Sequence, residues 1–427
     1  MPKLTRELEE LQAAGVITPE VAEKIRAYYD KPSSGASRMV IAFGILGALL
    51  IGMGVVLIIA HNWDDLSTGT KLFIGLAPMA IAQGFAAWFV FKQVESSAWR
   101  ESISVILVFA VATAISVVSQ VYNISGSLGG FLLAWTILTL PIIYILRSWM
   151  ASLLYWIGIT WYATEVGFAF ISFRRHFDPQ YYPLLAMAAL PFYFMLIKRL
   201  PDSNSISFHN WIIAISLTIT LPLGHYTNGD ELIVGAYSAM FSAFILIGQL
   251  PYFASRRMIT NAWLIMGSAG TIILLLALTF EWIDVADKDA KWWLSMPLLV
   301  WSLLFVAASG LLYKVGSKIG YKNVLSKSYA YLVFIVLFVI GIGQPLIARG
   351  LTNVLILALG IYTIREGALA DKLWKMNYGV LILSILIMCR FFDTDMSFVV
   401  RGLLFVAIGL GFFGTNFYMM RKRKAVA

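Results

Sequence analysis

Charge is scarce in this chain. Only 13% of its 427 residues are Asp, Glu, Lys or Arg, about half the share of an ordinary soluble domain. Cysteine occurs once, at Cys389, so no disulfide forms within the chain and cysteine usage says nothing about redox compartment. Histidine occurs only at His61, His176, His209 and His225. There is no H-E-x-x-H, no G-x-S-x-G and no kinase or redox signature. The glycine runs Gly44-x-x-Gly47, Gly52-x-Gly54 and Gly409-x-Gly411 with Gly414 are not nucleotide loops, because no strand precedes them and no Lys-Ser/Thr follows. They read as sites of close helix packing. No carboxylate falls at the middle of an apolar run, which excludes an intramembrane aspartyl pair. The expectation is a protein with no legible catalytic constellation, no cofactor and no metal.

Apolar residues make up 60% of the chain. They come in blocks of about eighteen or more, the length that crosses about 30 Å of hydrocarbon. Without water to satisfy the backbone, such blocks must be helical. The fold class expected is therefore all-α and polytopic. Fourteen spans are read at about 38–60, 72–91, 102–120, 127–146, 149–171, 183–197, 210–223, 232–253, 260–280, 292–313, 328–347, 351–364, 374–391 and 397–420. An even number puts both termini on one side. If that side is the cytoplasm, the inner loops are strongly basic, holding Arg100, Arg147, Lys198, Arg199, Arg256, Arg257 and the tail Arg421–Lys424, while acids outnumber bases outside. This is the positive-inside pattern, violated mainly by Arg174-Arg175. It also accounts for the net charge of +9, so nucleic acid is not an expected partner.

The first 37 residues differ. Leu4, Leu8 and Leu11 share one helical face, Gly15 stops that helix, and Thr18-Pro19-Glu20 starts another with a cap, a first-turn proline and an acid at the positive dipole end. Its stripe is Val21, Ile25 and Tyr28. Residues 1–37 thus read as a cytosolic helical hairpin and linker, too small for a core of its own, and suited to packing on the membrane domain (38–424), on a second copy or on a cytosolic partner.

In such spans the polar residues are the candidates for function. Gln120 and Asn123 fall in SQVYNISG, which breaks the third span. Gln344 precedes Pro345. Arg390, Asp393, Asp395 and Arg401 crowd into RFFDTDMSFVVRG. That stretch reads either as a hairpin turn, with Asp395 or Ser397 capping the last span and Arg401 snorkelling, or as two guanidiniums facing a shared wet cavity where they clamp a carboxylate or an anionic headgroup. His61-Asn62-Trp63-Asp64-Asp65 reads either as an interfacial turn or, with Glu165, as part of a proton relay. His209 is expected at the opposite end, so the histidines do not assemble a zinc site.

Three short matches hint at a parallel 6+2+6 repeat with halves 38–199 and 260–424 joined by spans in 210–253. These are Gln120…Gly126 with Gln344…Gly350, Arg175-His176-Phe177-Asp178 with Arg390-Phe391-Phe392-Asp393, and Asn62-Trp63-Asp64 with Glu281-Trp282-Ile283-Asp284. Parallel halves are a transporter architecture.

The head LxxELxxxGVIT…AxxIxxYY, the first span ending AHNWDDL, the SQVYNISG break and the terminal RFFDTDMSFVVRG with its basic tail together resemble the bacterial membrane-protein family called domain of unknown function 2157. The resemblance implies a bacterial inner-membrane location and a cytosolic head, and carries no activity. From the residues, the leading expectation is a transporter or lipid/glycan flippase-like protein in the lipid bilayer. Its outward polar vestibule would use Arg390, Arg401, Asp393, Asp395, Gln120, Asn123 and Gln344 for an anionic small molecule or headgroup. The alternative is a membrane scaffold or sensor whose head recruits a partner.

Overall fold

The computed structural model describes residues 8, 10–30, 63–92, 96–167, 181–201, 203–222, 230–280, 296–321 and 344–393, with short stretches within 336–341 and 399–417. Every described element is helical. In chain order they are α1 (Pro19–Asp30), α2 (Thr68–Phe91), α3 (Ser97–Val121), α4 (Leu128–Ile145), α5 (Trp149–Gly167), α6 (Tyr181–Arg199), α7 (Asn204–Thr220), α8 (Asp230–Gly248), the single turn α9 (Pro251–Ala254), a 3-10 turn at Met258–Thr260, α10 (Ala262–Phe280), α11 (Met296–Ile319), α12 (Pro345–Leu369) and α13 (Leu373–Asp393). The chain divides into two compact units, Met1–Ile74 and Gly75–Ala427, with the boundary inside α2.

In the first unit the head follows its sequence signals. Gly15 takes φ 70°, the left-handed conformation that ends a helix, and the Val16 N–H reaches back to the Leu11 carbonyl at 3.0 Å. The Thr18 carbonyl accepts from Val21 and Ala22 as α1 begins. Leu8 and Ala22 are buried, whereas Leu11, Val16 and Val21 are exposed. Farther on, the Ser67 hydroxyl accepts the Thr70 N–H at 3.2 Å, capping α2.

In the second unit, α5 packs against α3, α4, α6 and α7, and α10 against α7, α8, α12 and α13. The largest fully buried side chains include Tyr155, Trp156, Ile159 and Tyr162, all on α5, which is thus the centre of its bundle. Aromatic donors tie neighbouring helices to carbonyls. Trp135 Nε1 donates to Val108 O at 2.8 Å, Tyr155 Oη to Leu185 O at 3.0 Å and Tyr237 Oη to Thr218 O at 2.9 Å. A helical carbonyl has a spare lone pair, so these bonds stitch α3 to α4, α5 to α6 and α7 to α8 without breaking either helix.

α12 and α13 form an antiparallel hairpin held differently. A Cβ on Gly379 would lie 2.8 Å from the Gly360 carbonyl oxygen, and one on Gly360 would overlap Leu383 Cδ2. Only glycine lets these backbones approach so closely. The glycines expected to do this were others. A Cβ added at Gly409 or Gly414 would meet nothing within 4 Å among the described residues, and Gly44–Gly54 lie outside them.

Among the described residues six helices are long and apolar enough to cross a membrane: α2, α3, α4, α6, α10 and α12. Their outward faces carry exposed Ile81, Phe109, Leu138, Met187, Ile273 and Leu357, which lipid solvates and water does not. Three helices read as short spans are longer than expected. α6, α7 and α12 begin two, six and six residues before the apolar runs at 183, 210 and 351. Polar first turns are tolerated there because α7 buries Ser205, His209 and Asn210 inside protein, a case that hydropathy cannot distinguish from a loop. Gln344 does not lie within a span. It is the residue preceding α12, with Pro345 at the first helical position.

Candidate functional site

On α5, Ser152, Trp156 and Thr160 recur every four residues and so share a face. α7 buries Ser205, His209, Ser216 and Thr220. The two helices run in the same direction, because Ser152 meets His209 near their starts and Thr160 meets Ser216 near their ends. α6 contributes Tyr182 and Tyr193, both buried. The result is a polar seam through α5, α6 and α7.

The chemistry of the partners fixes most of the hydrogens. The Ser205 carbonyl can only accept, so His209 Nδ1 is protonated and donates to it at 2.7 Å. In the neutral imidazole, Nε2 then accepts from the Ser152 hydroxyl at 3.0 Å. At the other end Thr160 Oγ1 donates to the Trp156 carbonyl at 2.6 Å, so it accepts from Ser216 Oγ at 2.6 Å, which in turn accepts from Tyr182 Oη at 2.7 Å. Tyr193 Oη donates to Asn210 Oδ1 at 2.6 Å, and its ring stacks on that of His209 with centroids 6.4 Å apart. Two donors are left over. Trp156 Nε1 and Asn210 Nδ2 are buried with no hydrogen-bond partner among the described residues. The side chains are 1% and 0% exposed, which makes each orphan costly.

The start of α5 is fastened from α3. Glu101 Oε2 accepts from the Ser148 hydroxyl at 2.5 Å and from the Met150 N–H at 3.1 Å, while Ser148 Oγ accepts the Ala151 N–H at 3.1 Å. A carboxylate there opposes the positive end of the α5 dipole. Arg147 takes φ 51° in the tight turn before it.

The residues expected to matter fall elsewhere. Gln120 and Asn123 are exposed at the end of α3. Rather than unwinding a span, SQVYNISG forms a helix C-terminus. Asn123 is left-handed at φ 49°, Ile124 N–H donates to Ser119 O at 2.8 Å, and Ser119 Oγ donates to Ile124 O at 2.9 Å. Gln344 is exposed. Since α12 and α13 are antiparallel, the start of α12 and the Arg390–Asp393 end of α13 share one end of the hairpin. The neighbouring Arg349 Nε donates to Thr279 O at 2.9 Å, so the end of α10 is there too. The side chains of Arg390 and Asp393, and residues Asp395 and Arg401 altogether, lie outside the described residues, as do His61, Arg175–Asp178, Asn62 and Glu281–Asp284. Asp64 is exposed and Glu165 half-buried. The two Gln…Gly pairs occupy different local structure: Gln120…Gly126 spans the α3–α4 loop, Gln344…Gly350 the first turns of α12. Among the described residues no group of three or more His, Cys, Asp or Glu could hold a metal ion.

The seam lies inside the helices, away from the span ends that carry the sequence-predicted candidates. The four-residue spacing Ser152-Trp156-Thr160 and the run Ser205, His209, Ser216, Thr220 were present as a signal. They name two helices that turn polar faces toward each other.

These features define the class: a helical, multi-span membrane protein with a polar seam in its core. Residues 9–152 match the family model described as Predicted membrane protein (DUF2157), the family that the head and SQVYNISG resemble, over about the first third of the chain. No curated protein and no solved structure matches.

Proposed function

We propose that this protein moves a polar solute or a lipid-linked headgroup across a bacterial inner membrane, with both termini in the cytoplasm. The observation that supports the reading is the seam. Buried hydroxyls, an imidazole and a carboxamide follow one another along α5 and α7, which are not among the six long apolar helices but pack against four of them, α3, α4, α6 and α10; polar groups enclosed among spans mark substrate paths by default. Arg390 and Gln344, at one end of the α12–α13 hairpin, together with Arg401, Asp393 and Asp395, would form the outer collecting site. A guanidinium pair there suits a carboxylate or phosphate. A parallel 6+2+6 arrangement of fourteen spans is the architecture this reading favours.

The test uses vesicles holding the purified chain, with two readouts: flip of fluorescent phosphatidylglycerol by dithionite quenching, and uptake of a radiolabelled dicarboxylate. Faster movement than in protein-free vesicles, cut roughly tenfold by Ser216→Ala or Arg401→Ala, is expected. That factor corresponds to about 1.4 kcal/mol, within the cost of unpairing a buried polar group. Rates equal to those of empty vesicles with both probes refute it.

A second reading draws on the head. Leu11, Val16 and Val21 are exposed there, which suits a partner-recruiting scaffold. If deleting residues 1–37 abolishes the cellular phenotype while Ser216→Ala and Arg401→Ala leave it intact, the scaffold reading replaces transport.

A further inference from the structure

The seam has its hydrogen bonds in two halves. One is Ser205–His209–Ser152 with Tyr193–Asn210, and the other is Tyr182–Ser216–Thr160. Ser152 and Thr160 are eight residues apart, about 12 Å of helix at 1.5 Å per residue. Trp156 lies midway between them on the same face. On α7, the residues level with it fall between His209 and Ser216, and Asn210 opens that interval. Of the two orphan donors, Trp156 Nε1 therefore lies in the stretch where the seam is interrupted, and Asn210 Nδ2 borders it, on a side chain whose oxygen belongs to the first half. Side chains of both parallel helices lean toward their starts, so the offset between Trp156 and Asn210 stays at two to three residues, about 4 Å of rise, which one bridging oxygen can span.

The interruption has a chemical sign. Both groups without partners are N–H donors, and no hydrogen bond of the seam involves a charged side chain. Among the other aromatic N–H and O–H groups of the bundle, Trp135, Tyr155 and Tyr237 each reach a carbonyl of the neighbouring helix, while Trp263 Nε1, on α10, is left without a partner as Trp156 is. Trp156 does not, although it is more deeply buried than Trp135. A cation would require clustered carboxylates or free acceptors, and an anion buried here would have no counter-charge in the seam.

We infer that Trp156 Nε1 and Asn210 Nδ2 hold the oxygen of an uncharged hydrogen-bond acceptor, a water or the carbonyl or hydroxyl oxygen of a neutral polar solute. Such an oxygen satisfies both donors and joins the halves of the seam. This deepens the transport reading by naming the chemistry selected inside the bundle, neutral and oxygen-bearing, as distinct from the anionic chemistry at the outer arginines. The site itself does not depend on transport occurring.

The full chain in lipid nanodiscs is measured by ultraviolet resonance Raman. The difference between wild type and Trp156→Phe isolates the one indole, whose N–H hydrogen-bond marker band is read. The expected result is a bonded Trp156 in wild type, converted to the unbonded position by Asn210→Leu. Titration with glycerol and formamide distinguishes the sources. A marker that shifts with either solute identifies a solute oxygen, and a bonded marker insensitive to both identifies water. Sodium and ammonium chloride should leave it unmoved. An unbonded marker under every condition, or a response to the cations alone, overturns the inference. If Trp156→Phe does not fold, a high-resolution map of wild type decides: density within hydrogen-bonding distance of both nitrogens supports the site and its absence refutes it. Failure of the vesicle assays with a bonded marker would sink the transport reading and leave this site standing.

Discussion

The bundle around α5 and the α12–α13 hairpin solve the same problem in opposite ways. Both must hold helices together where lipid tails are as apolar as leucine, so that burial of apolar surface gives little drive. The hairpin removes side chains. At Gly360 and Gly379 the backbones touch, and dispersion over a close interface does the work. The bundle adds large amphipathic side chains, placing Tyr155, Trp156, Tyr162 and Tyr193 among hydroxyls. Close glycine packing leaves nowhere for a guest, whereas an aromatic and polar interface leaves hydrogen-bonding capacity over. The difference sets an interface with hydrogen-bonding capacity to spare against one that has none.

The sharpest way to break that comparison is to truncate one tryptophan in each region. Trp156→Ala empties the centre of the bundle and should cost about 3–5 kcal/mol. Trp374→Ala on α13, 48% exposed, should change stability by no more than about 0.5 kcal/mol. Thermal unfolding in detergent, followed by cysteine accessibility at Cys389, reads both. Equal losses would mean that the hairpin is as tightly packed as the bundle.

Gly379→Ala comes next. Its added methyl would meet backbone, the Gly360 carbonyl and the Ile364 nitrogen, both at 2.8 Å. Backbone cannot rotate away, so overpacking of about 1–3 kcal/mol is expected. Gly84→Ala on α2, where a Cβ meets nothing within 4 Å, is the control and should be neutral or slightly stabilising through helix propensity. The same unfolding assay decides, and a tolerated Gly379→Ala would show that the hairpin does not rely on contact.

Within the bundle, Ser216→Ala removes the hydroxyl that links Tyr182 to Thr160. Interhelical hydrogen bonds in membranes average about 0.6 kcal/mol, and the buried Tyr182 hydroxyl loses its acceptor, so about 1–2 kcal/mol is expected. Thr363→Val on α12 removes only a bond to its own helix, to Leu359 O, and should cost less. If the two are equal, the seam is no more cooperative than ordinary back-bonding.

How much of this was legible in the chain follows from what each signal measures. Hydropathy reads the lipid-facing surface; it located α2, α3, α4 and α10 to within about five residues and marked only the middle of α12. Capping chemistry is local, and Gly15, Thr18 and Pro19 acted as their types require. Neither signal says which neighbour a polar residue faces. The end of the bundle that His209 occupies bears on whether it joins the other histidines at a metal, and says nothing of Ser152, which reaches it from 57 residues away. Gln120 and Asn123 stood out because they interrupt an apolar run, and they interrupt it because the helix stops there. Polarity inside a helix that keeps its four-residue spacing marks a buried interface, and polarity that breaks the spacing marks an end.

The smallest effect tests whether the bundle's entrance is held by charge or by hydrogen bonds. Glu101 on α3 accepts from Ser148 and Met150 at the start of α5, and Arg100 Nε lies 3.5 Å from its other oxygen. Glu101→Gln keeps one acceptor oxygen for those two donors and removes the negative charge facing the α5 dipole. The charge contribution at a helix start is about 0.3–1 kcal/mol and is screened by salt. Glu101→Gln should therefore lower stability by that amount at low ionic strength, and the difference from wild type should shrink as salt rises. Glu101→Ala removes the hydrogen bonds as well, and its larger loss should persist in salt. If Glu101→Gln and Glu101→Ala are equally harmful and equally salt-sensitive, the clip works by charge alone, and the start of α5 is less rigidly placed than the seam behind it requires.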